Sequence, residues 1–297
     1  MNTTHSTSTG SIVVGVDGSL SSTEALTWAA TEAGLQKRPF TIVHTEKPFS
    51  TSQRAWLTSA GISTREIVSQ ALADAQEIVD RARVQAAALC PDIEISTTVK
   101  AGDPRDVLLQ MARDANMIVL GSRGRGPVSS LLLGSVSVAV VRHATCPVVI
   151  MRPAANEQEH RGVLVGSDGS AQSLPTVELA YREASLHHMP LTVVHCLWDP
   201  LVARERWGHL PPADPYYEDA ELRIADGLAG MIEKFPDVPM HVTLTKGAVD
   251  ACLVDLSQQH DILVVGRHAH SLAAHLGWGG LTTAIVEHAT GPVLVVP

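Results

Sequence analysis

The stretch Gly121-Ser-Arg-Gly-Arg-Gly-Pro-Val-Ser-Ser-Leu-Leu-Leu-Gly-Ser135 directly follows the apolar run Met117–Leu120. The run is short, branched and bounded by glycine, which predicts a buried strand. Residues Val136–His143 then have the length of a helix, and the apolar run Val148–Ile150 predicts another strand. The glycines therefore lie in a loop between a strand and a helix. There an α/β protein presents unpaired backbone N–H groups and the positive end of a helix dipole to an anion.

The residue types in this loop suit a phosphate group. Gly121 and Gly124 lack a Cβ, so the backbone can take unusual φ/ψ values and approach a ligand closely. Arg123 and Arg125 carry planar guanidinium groups, which can hold phosphate oxygens through two parallel hydrogen bonds. The alternative interpretation is a glycine-rich surface loop with two solvated arginines.

The spacing of the loop resembles the nucleotide-binding signature of the universal stress protein family. That signature is glycine, two residues, glycine, nine residues and then Gly-Ser, and Gly121, Gly124, Gly134 and Ser135 match it without a gap. Gly134 and Ser135 would open the helix, with Ser135 able to cap it or donate its hydroxyl to a phosphate. The resemblance implies that the segment from Gly121 to Val136 binds ATP, with or without a bound Mg²⁺ ion.

Length and composition limit the classes of function. The 297 residues are enough for two domains, each with its own core. The formal net charge of −9, without a block of like charges, argues against nucleic acid or an anionic membrane as partner. No apolar run is long enough for a bilayer span, and the polar start does not resemble a signal peptide. The four scattered cysteines predict small core residues in a reducing cytoplasm.

The chain contains an internal repeat. Ile12–Ser19, IVVGVDGS, reappears as Val163–Ser170, VLVGSDGS, and Arg142–Val149 returns as Glu287–Leu294. Two copies of one domain follow from this self-similarity. We predict a disordered tail over 1–10, a first universal stress domain over 11–152, a proline-led polar linker over 153–161 and a second domain over 162–297.

Each copy is predicted to alternate strands with helices, which indicates a parallel sheet covered on both faces. We predict an α/β fold of two tandem open five-stranded parallel sheets with helices on both faces, Rossmann-like and, by the resemblance, adenine nucleotide alpha hydrolase-like. In the first copy, helices are expected over about 22–36, 67–89 and 104–115. The polar segment Glu46–Ser63 is expected to be a long loop and a candidate lid.

Open sheets of this kind bind ligands at the carboxyl ends of their strands. Asp17, followed by Gly18, ends the first strand at the same edge as the glycine loop. The resemblance implies that Asp17 contacts the nucleoside and that Thr45, after His44, lines the adenine pocket. Asp17 could instead only cap the turn before its helix. For His44 we favour a structural role as a core histidine.

The second copy keeps four positions of this site, at Asp168, Cys196, Gly266 and Gly279. It departs from the pattern at Ala269, which replaces the second glycine, and at Gly280, which replaces the serine. An alanine methyl can block a position that needs positive φ or close phosphate approach, and the serine hydroxyl is lost. We expect the second site to be weaker, altered or empty.

Other kinds of site are poorly supported. His268, His270 and His275 could bind a transition metal, but no cysteine or carboxylate stands beside them at ligand spacing, so no metal is predicted. The sequence lacks a P-loop, a Gly-x-Gly-x-x-Gly turn after a strand and a Gly-x-Ser-x-Gly elbow. We expect an ATP-binding stress-response regulator rather than an enzyme. The alternatives are a slow ATPase, with Arg123 and Arg125 stabilising developing charge, and a scaffold that binds no nucleotide.

The last strand of each copy predicts how the domains assemble. Residues 146–151 and 291–296 are short, apolar sheet edges, which must be paired or covered. In the family that the chain resembles, such strands pair across a dimer. We therefore predict an internal pseudo-dimer of the two halves and a homodimer of whole chains.

Overall fold

The computed structural model describes residues 9–61, 63–124, 133–153, 162–267 and 280–297. The chain divides into two compact units between Val148 and Val149. The elements of the first half are β1 (Ile12–Gly15), α1 (Leu20–Gln36), β2 (Phe40–Glu46), α2 (Thr51–Ser59), α3 (Thr64–Leu89), β3 (Ile95–Ala101), α4 (Pro104–Met111), β4 (Met117–Gly121), α5 (Ser135–His143) and β5 (Val148–Met151).

The sheet of the first unit is parallel, with the strand order β3-β2-β1-β4. Ile12 of β1 is in register with Phe40 of β2 on one side and with Met117 of β4 on the other. The apolar side chains of β1 and β4 are almost completely buried, as their uninterrupted branched runs predict for a sheet covered on both faces. Because these strands are parallel, the residues that follow β1, β2 and β4 emerge at one edge.

Local capping sets the bounds of the helices. The Ser19 hydroxyl accepts a hydrogen bond from the Ser22 N–H at 3.2 Å, so α1 begins at Leu20, close to the predicted start. Asp103 caps α4 in the same way and Pro104 takes its first position. The α-helix ends at Met111, before the predicted 115, and the chain continues as turns.

The prediction of a loop over Glu46–Ser63 was wrong for its central part, which forms α2. The Ser50 hydroxyl accepts the Gln53 N–H at 3.2 Å, and the Gln53 side chain accepts the Ser50 N–H at 2.8 Å. This is a capping box, whose Ser-x-x-Gln pattern is visible in the sequence. The polar composition of the segment suggested a loop. The capping box in its first turn instead favours a short helix.

The second half repeats this order with additions. Its elements are β6 (Val163–Gly166), α6 (Leu174–Leu186), β7 (Leu191–Trp198), a 3₁₀ turn (Val202–Glu205), β8 (Trp207–His209), α7 (Tyr217–Leu228), α8 (Met231–Lys234), β9 (Met240–Gly247), α9 (Val249–Ser257), β10 (Ile262–Gly266), α10 (Leu281–His288) and β11 (Pro292–Val296). None of the helices within the described ranges is long and apolar enough to cross a membrane.

The sheet of the second unit runs β11-β10-β6-β7-β9-β8. β8 is antiparallel to β9, with Trp207 opposite Gly247, so the expectation of a wholly parallel five-stranded sheet is wrong here. Hydrogen bonds from Arg206 and from the Trp207 indole to the Asp255 carboxylate, at 2.8 and 2.9 Å, anchor the added strand to α9. The α/β class with a mostly parallel sheet is confirmed.

Candidate functional site

A cleft of about 300 Å³ opens at the carboxyl edge of the first sheet. Most of the residues predicted for the first site line it: Asp17, Thr45, Gly121, Arg123, Gly124, Gly134, Ser135 and Val136. Gly18 is exposed and Arg125 lies outside the described residues. The structure therefore brings together, from three strand ends and one helix, residues that are far apart in the sequence.

The cleft also has apolar walls that the sequence interpretation missed. Val16, Leu108 and Leu120 line it, together with Pro104 at the start of α4. The register of β2, β1 and β4 places the ends of the two outer strands about 10 Å apart, since neighbouring strands are separated by about 4.8 Å. The adjacent apolar residues Val107 and Leu108 of α4 are the available signal, but apolar residues in a helix indicate a core face and do not identify a cleft wall.

The N-terminus of α5 lies in this cleft. Gly134 is the N-cap residue, with φ −71° and ψ 149°, and no side chain of the described residues caps the helix. Ser135 is the first helical residue and its side chain is exposed, so the capping role is wrong, and donation of its hydroxyl to a phosphate stays a prediction. The first backbone N–H groups of a helix have no partner within it, so those of Ser135, Val136 and Ser137 are suited to an anion.

Two glycines of the loop are needed for close packing rather than for unusual backbone angles. Neither Gly121 nor Gly124 has a positive φ. A Cβ on Gly124 would lie 2.5 Å from Oδ2 of Asp17, and one on Gly121 would lie 2.7 Å from the carbonyl carbon of Ser21. Side chains at these positions would collide with Asp17 in the β1–α1 turn and with the first turn of α1, so the signature glycines allow the loop to pack closely against both.

The two interpretations of Asp17 are compatible in the structure. Its Oδ1 accepts the backbone N–H of Ser19 at 2.9 Å, which caps the turn, while its Oδ2 faces Gly124. His44 is buried with Nδ1 2.6 Å from the Val16 carbonyl oxygen. That contact agrees with the core role expected for His44, although the residue also lines the cleft.

Hydrogen bonds fix both ends of the glycine loop. The Ser137 hydroxyl donates to the carbonyl of Gly121 at 2.9 Å, and the Gly134 N–H donates to the carbonyl of Ser122 at 2.8 Å. The second unit repeats the first of these contacts, since the Thr282 hydroxyl donates to the Gly266 carbonyl at 3.0 Å. A hydroxyl at this place in the helix therefore holds the strand end in both units.

We expect Ser137→Ala to lower the free energy of unfolding by about 1–2 kcal/mol, because the buried Ser137 hydroxyl is lost as the donor to the partly buried Gly121 carbonyl. Urea denaturation measures this change. Ser135→Ala is the matched control, since this neighbouring side chain is exposed and caps nothing, and it should change the value by less than about 0.5 kcal/mol. Equal effects of the two variants would contradict the structural role of Ser137.

The framework of the second site survives where the structure describes it. Oδ1 of Asp168 accepts the Ser170 N–H at 3.0 Å, as Asp17 accepts that of Ser19. Burial opposes ionisation of Asp168, but hydrogen bonds from Ser170 and Ser173 outweigh it and hold the pKa below its usual value. Gly280 is the N-cap of α10 and Gly266 ends β10. Gly279, Ala269 and the three loop histidines lie outside the described residues.

The second site differs from the first because α7 lies on its Asp-Gly turn. A Cβ on Gly169 would be 2.7 Å from the carbonyl oxygen of Arg223, and one on Gly227 would be 3.0 Å from the Cα of Gly169. The equivalent Gly18 of the first unit is exposed. Thus a helix covers the second turn where the first one faces solvent.

The histidine beneath the second turn is also distinct. His195 is buried, with Nδ1 2.9 Å from the Ser167 carbonyl, and its Nε2 has no hydrogen-bond partner among the described residues. Burial lowers the pKa of His195, so the ring is neutral near pH 7. Cys196 follows it, at the place of Thr45, and is partly exposed.

Comparison with known proteins identifies the family to which this architecture belongs. The profile of the universal stress protein family matches residues 9–152 and 159–297. A universal stress protein of Mycobacterium tuberculosis is 33% identical over 298 residues, which cover 96% of each chain. The crystal structure of a universal stress protein from Archaeoglobus fulgidus has a TM-score of 0.68 at 18% identity, covering 97% of this chain and 96% of its own. Another, in complex with cAMP, matches 48% of this chain and 97% of its own at 26% identity, with a TM-score of 0.36. The chain belongs to the universal stress protein family, with two family domains in tandem.

Proposed function

We propose that the protein is an ATP-binding regulator of the stress response and that the first unit holds the nucleotide. The observation that carries this proposal is the N-terminus of α5, which no described side chain caps and which lines the same cleft as Asp17. Such a helix start favours a phosphate through its N–H groups and its dipole. The cleft volume of about 300 Å³ is at the lower end of the range for small-molecule sites.

The cleft residues fit the parts of a nucleotide. The backbone N–H groups at the start of α5 and the Arg123 guanidinium suit the phosphates, with Mg²⁺ as an optional counter-charge. The Asp17 carboxylate suits a ribose hydroxyl, and the apolar walls with the backbone at Thr45 suit the base. When bound, ATP supplies a charged group whose presence the protein can report to a partner. The sequence carries none of the P-loop or nucleophile-elbow motifs of hydrolases, so we favour binding over hydrolysis.

The second unit, in this proposal, binds nucleotide weakly or not at all. The α7 helix lies on the turn that follows Asp168, and Cys196 takes the place of Thr45. The replacements at Ala269 and Gly280 point in the same direction. The proposed stoichiometry is therefore one nucleotide per chain.

We expect about one ATP per chain when the purified protein is denatured and the released nucleotide is identified and counted by chromatography. Recovery of about two would show that the second unit also binds. Recovery of ADP that accumulates over repeated cycles of Mg·ATP addition would instead support the slow ATPase. If no nucleotide is released and none binds on addition of Mg·ATP, the proposal is wrong and the scaffold interpretation stands.

We further propose that the protein is a cytoplasmic homodimer. The cysteines support a reducing compartment, since all four are free thiols and three of them are buried. The dimer is supported by the family resemblance of the sequence. Sedimentation equilibrium of the purified protein measures the mass directly, and a value of about one chain would contradict it.

A further inference from the structure

The second unit contains a pair of cysteines that are distant in sequence and close in space. Cys196 is near the end of β7 and Cys252 is on α9. Cys196 is in register with Thr245 on the neighbouring strand β9, and the Thr245 hydroxyl lies 3.4 Å from Sγ of Cys252. Residues in register on parallel strands project from the same face of a sheet. Both thiols are therefore on the α9 face of this sheet.

The two thiols have different environments. Cys196 is partly exposed, whereas Cys252 is completely buried. Interaction with the Cys252 thiol lowers the pKa of Cys196, against the opposing effects of burial and of the Asp250 charge. The same interaction, together with burial, raises the pKa of Cys252. The pair thus combines a partly exposed sulfur, whose pKa is lowered, with a fully buried sulfur beside it, whose pKa is raised.

We propose that Cys196 is a peroxide-reactive thiol and that Cys252 resolves its oxidised form into a disulfide within the second unit. The arrangement is that of a redox sensor, in which an accessible thiolate stands next to a resolving cysteine. This inference is independent of nucleotide binding, because it concerns only the thiols of β7 and α9.

The chemistry uses hydrogen peroxide as the oxidant. The Cys196 thiolate attacks one peroxide oxygen and the O–O bond breaks, giving Cys196 sulfenic acid and hydroxide, which takes up a proton to form water. The Cys252 sulfur then attacks the sulfenic sulfur, the S–O bond breaks, and the thiol proton leaves with the oxygen as a second water. Both sulfurs are oxidised by one electron each, and the peroxide receives the two electrons.

The other two cysteines provide controls within the same chain. Cys90 and Cys146 are buried in the first unit, with exposed fractions of 3% and 6%. Burial raises the pKa of the Cys90 thiol, and it raises that of Cys146 to about 11. Neither combines a partly exposed sulfur with a lowered thiol pKa, as Cys196 does.

Alkylation with iodoacetamide at pH 7, followed by mass spectrometry, tests the reactivity. We expect Cys196 to be labelled at least about 100-fold faster than Cys146, since the thiolate fraction changes tenfold per pKa unit and the pKa of Cys196 lies below its ordinary value. Labelling of the two at similar rates in the folded protein would overturn the proposal.

Peroxide treatment tests the disulfide. Hydrogen peroxide at a few equivalents should produce a non-reduced peptide that joins Cys196 to Cys252, and dithiothreitol should release it. Cys252→Ser should leave a sulfenic acid on Cys196 that dimedone captures, which identifies the resolving residue. Cys90→Ser should form the disulfide like the unmodified chain. A sulfinic acid on Cys196 without any linked peptide, in protein with an unchanged circular dichroism spectrum, would overturn the role of Cys252.

Discussion

Gly124→Ala should weaken ATP binding by roughly 10- to 150-fold while leaving the fold intact. The new methyl would lie 2.5 Å from Oδ2 of Asp17, so the carboxylate must move from the place where it faces the cleft. Loss of one hydrogen bond to a charged group costs about 1.5–3 kcal/mol, which corresponds to this loss of affinity. Gly124 is exposed, so we expect a small effect on unfolding. Isothermal titration with ATP and urea denaturation measure the two quantities.

Two further variants separate binding from packing. Asp17→Asn keeps an oxygen that can accept the Ser19 N–H, so it removes the charge with little effect on the turn, and we expect a similar loss of affinity. Gly208→Ala is the glycine control, because a Cβ there meets nothing within 4 Å, and it should bind ATP normally. If Gly124→Ala binds ATP like the unmodified chain, the cleft at Asp17 is not the nucleotide site.

The first unit was largely predictable because its determinants are local. Apolar runs such as Met117–Leu120 specify the strands, Ser19 and Asp103 specify helix starts, and the glycine spacing specifies the loop. The parallel order then brings the strand ends together without further information. The apolar wall at Leu108 could not be recognised, since a helical period alone does not distinguish a core face from a cleft wall.

The features that distinguish the second unit depend on contacts between distant segments. The covering of Gly169 by α7 requires Gly227, which is remote in sequence and reads only as an isolated glycine in a helix. The Cys196–Cys252 pair belongs to no spacing motif, because β9 lies between the two elements in the sequence. The internal repeat suggests that the two units are equivalent, so it gave no indication of these differences.

The contact between α7 and Gly169 leads us to expect a large effect of a substitution at Gly169 on stability. Gly169 and Gly18 have the same backbone conformation, with φ of +73° and +76°, but Gly169 lies beneath α7 whereas Gly18 is exposed. Alanine at such a φ costs about 1–2 kcal/mol, and at Gly169 its methyl also collides with the Arg223 carbonyl, which adds about 1–3 kcal/mol. We therefore expect Gly169→Ala to lower the free energy of unfolding by about 2–5 kcal/mol and Gly18→Ala by about 1–2 kcal/mol.

Urea denaturation measures both variants, and hydrogen exchange read by peptide locates the change. Protection of Tyr217–Leu228 should fall in Gly169→Ala and remain normal in Gly18→Ala. Equal losses of stability, with α7 still protected, would show that the helix does not rest on the turn.

Gly169→Ala also separates two possible reasons why the second site would not bind nucleotide. A second ATP bound by Gly169→Ala would assign the failure to α7, whereas one ATP per chain with α7 displaced would assign it to the glycine and serine replaced by Ala269 and Gly280.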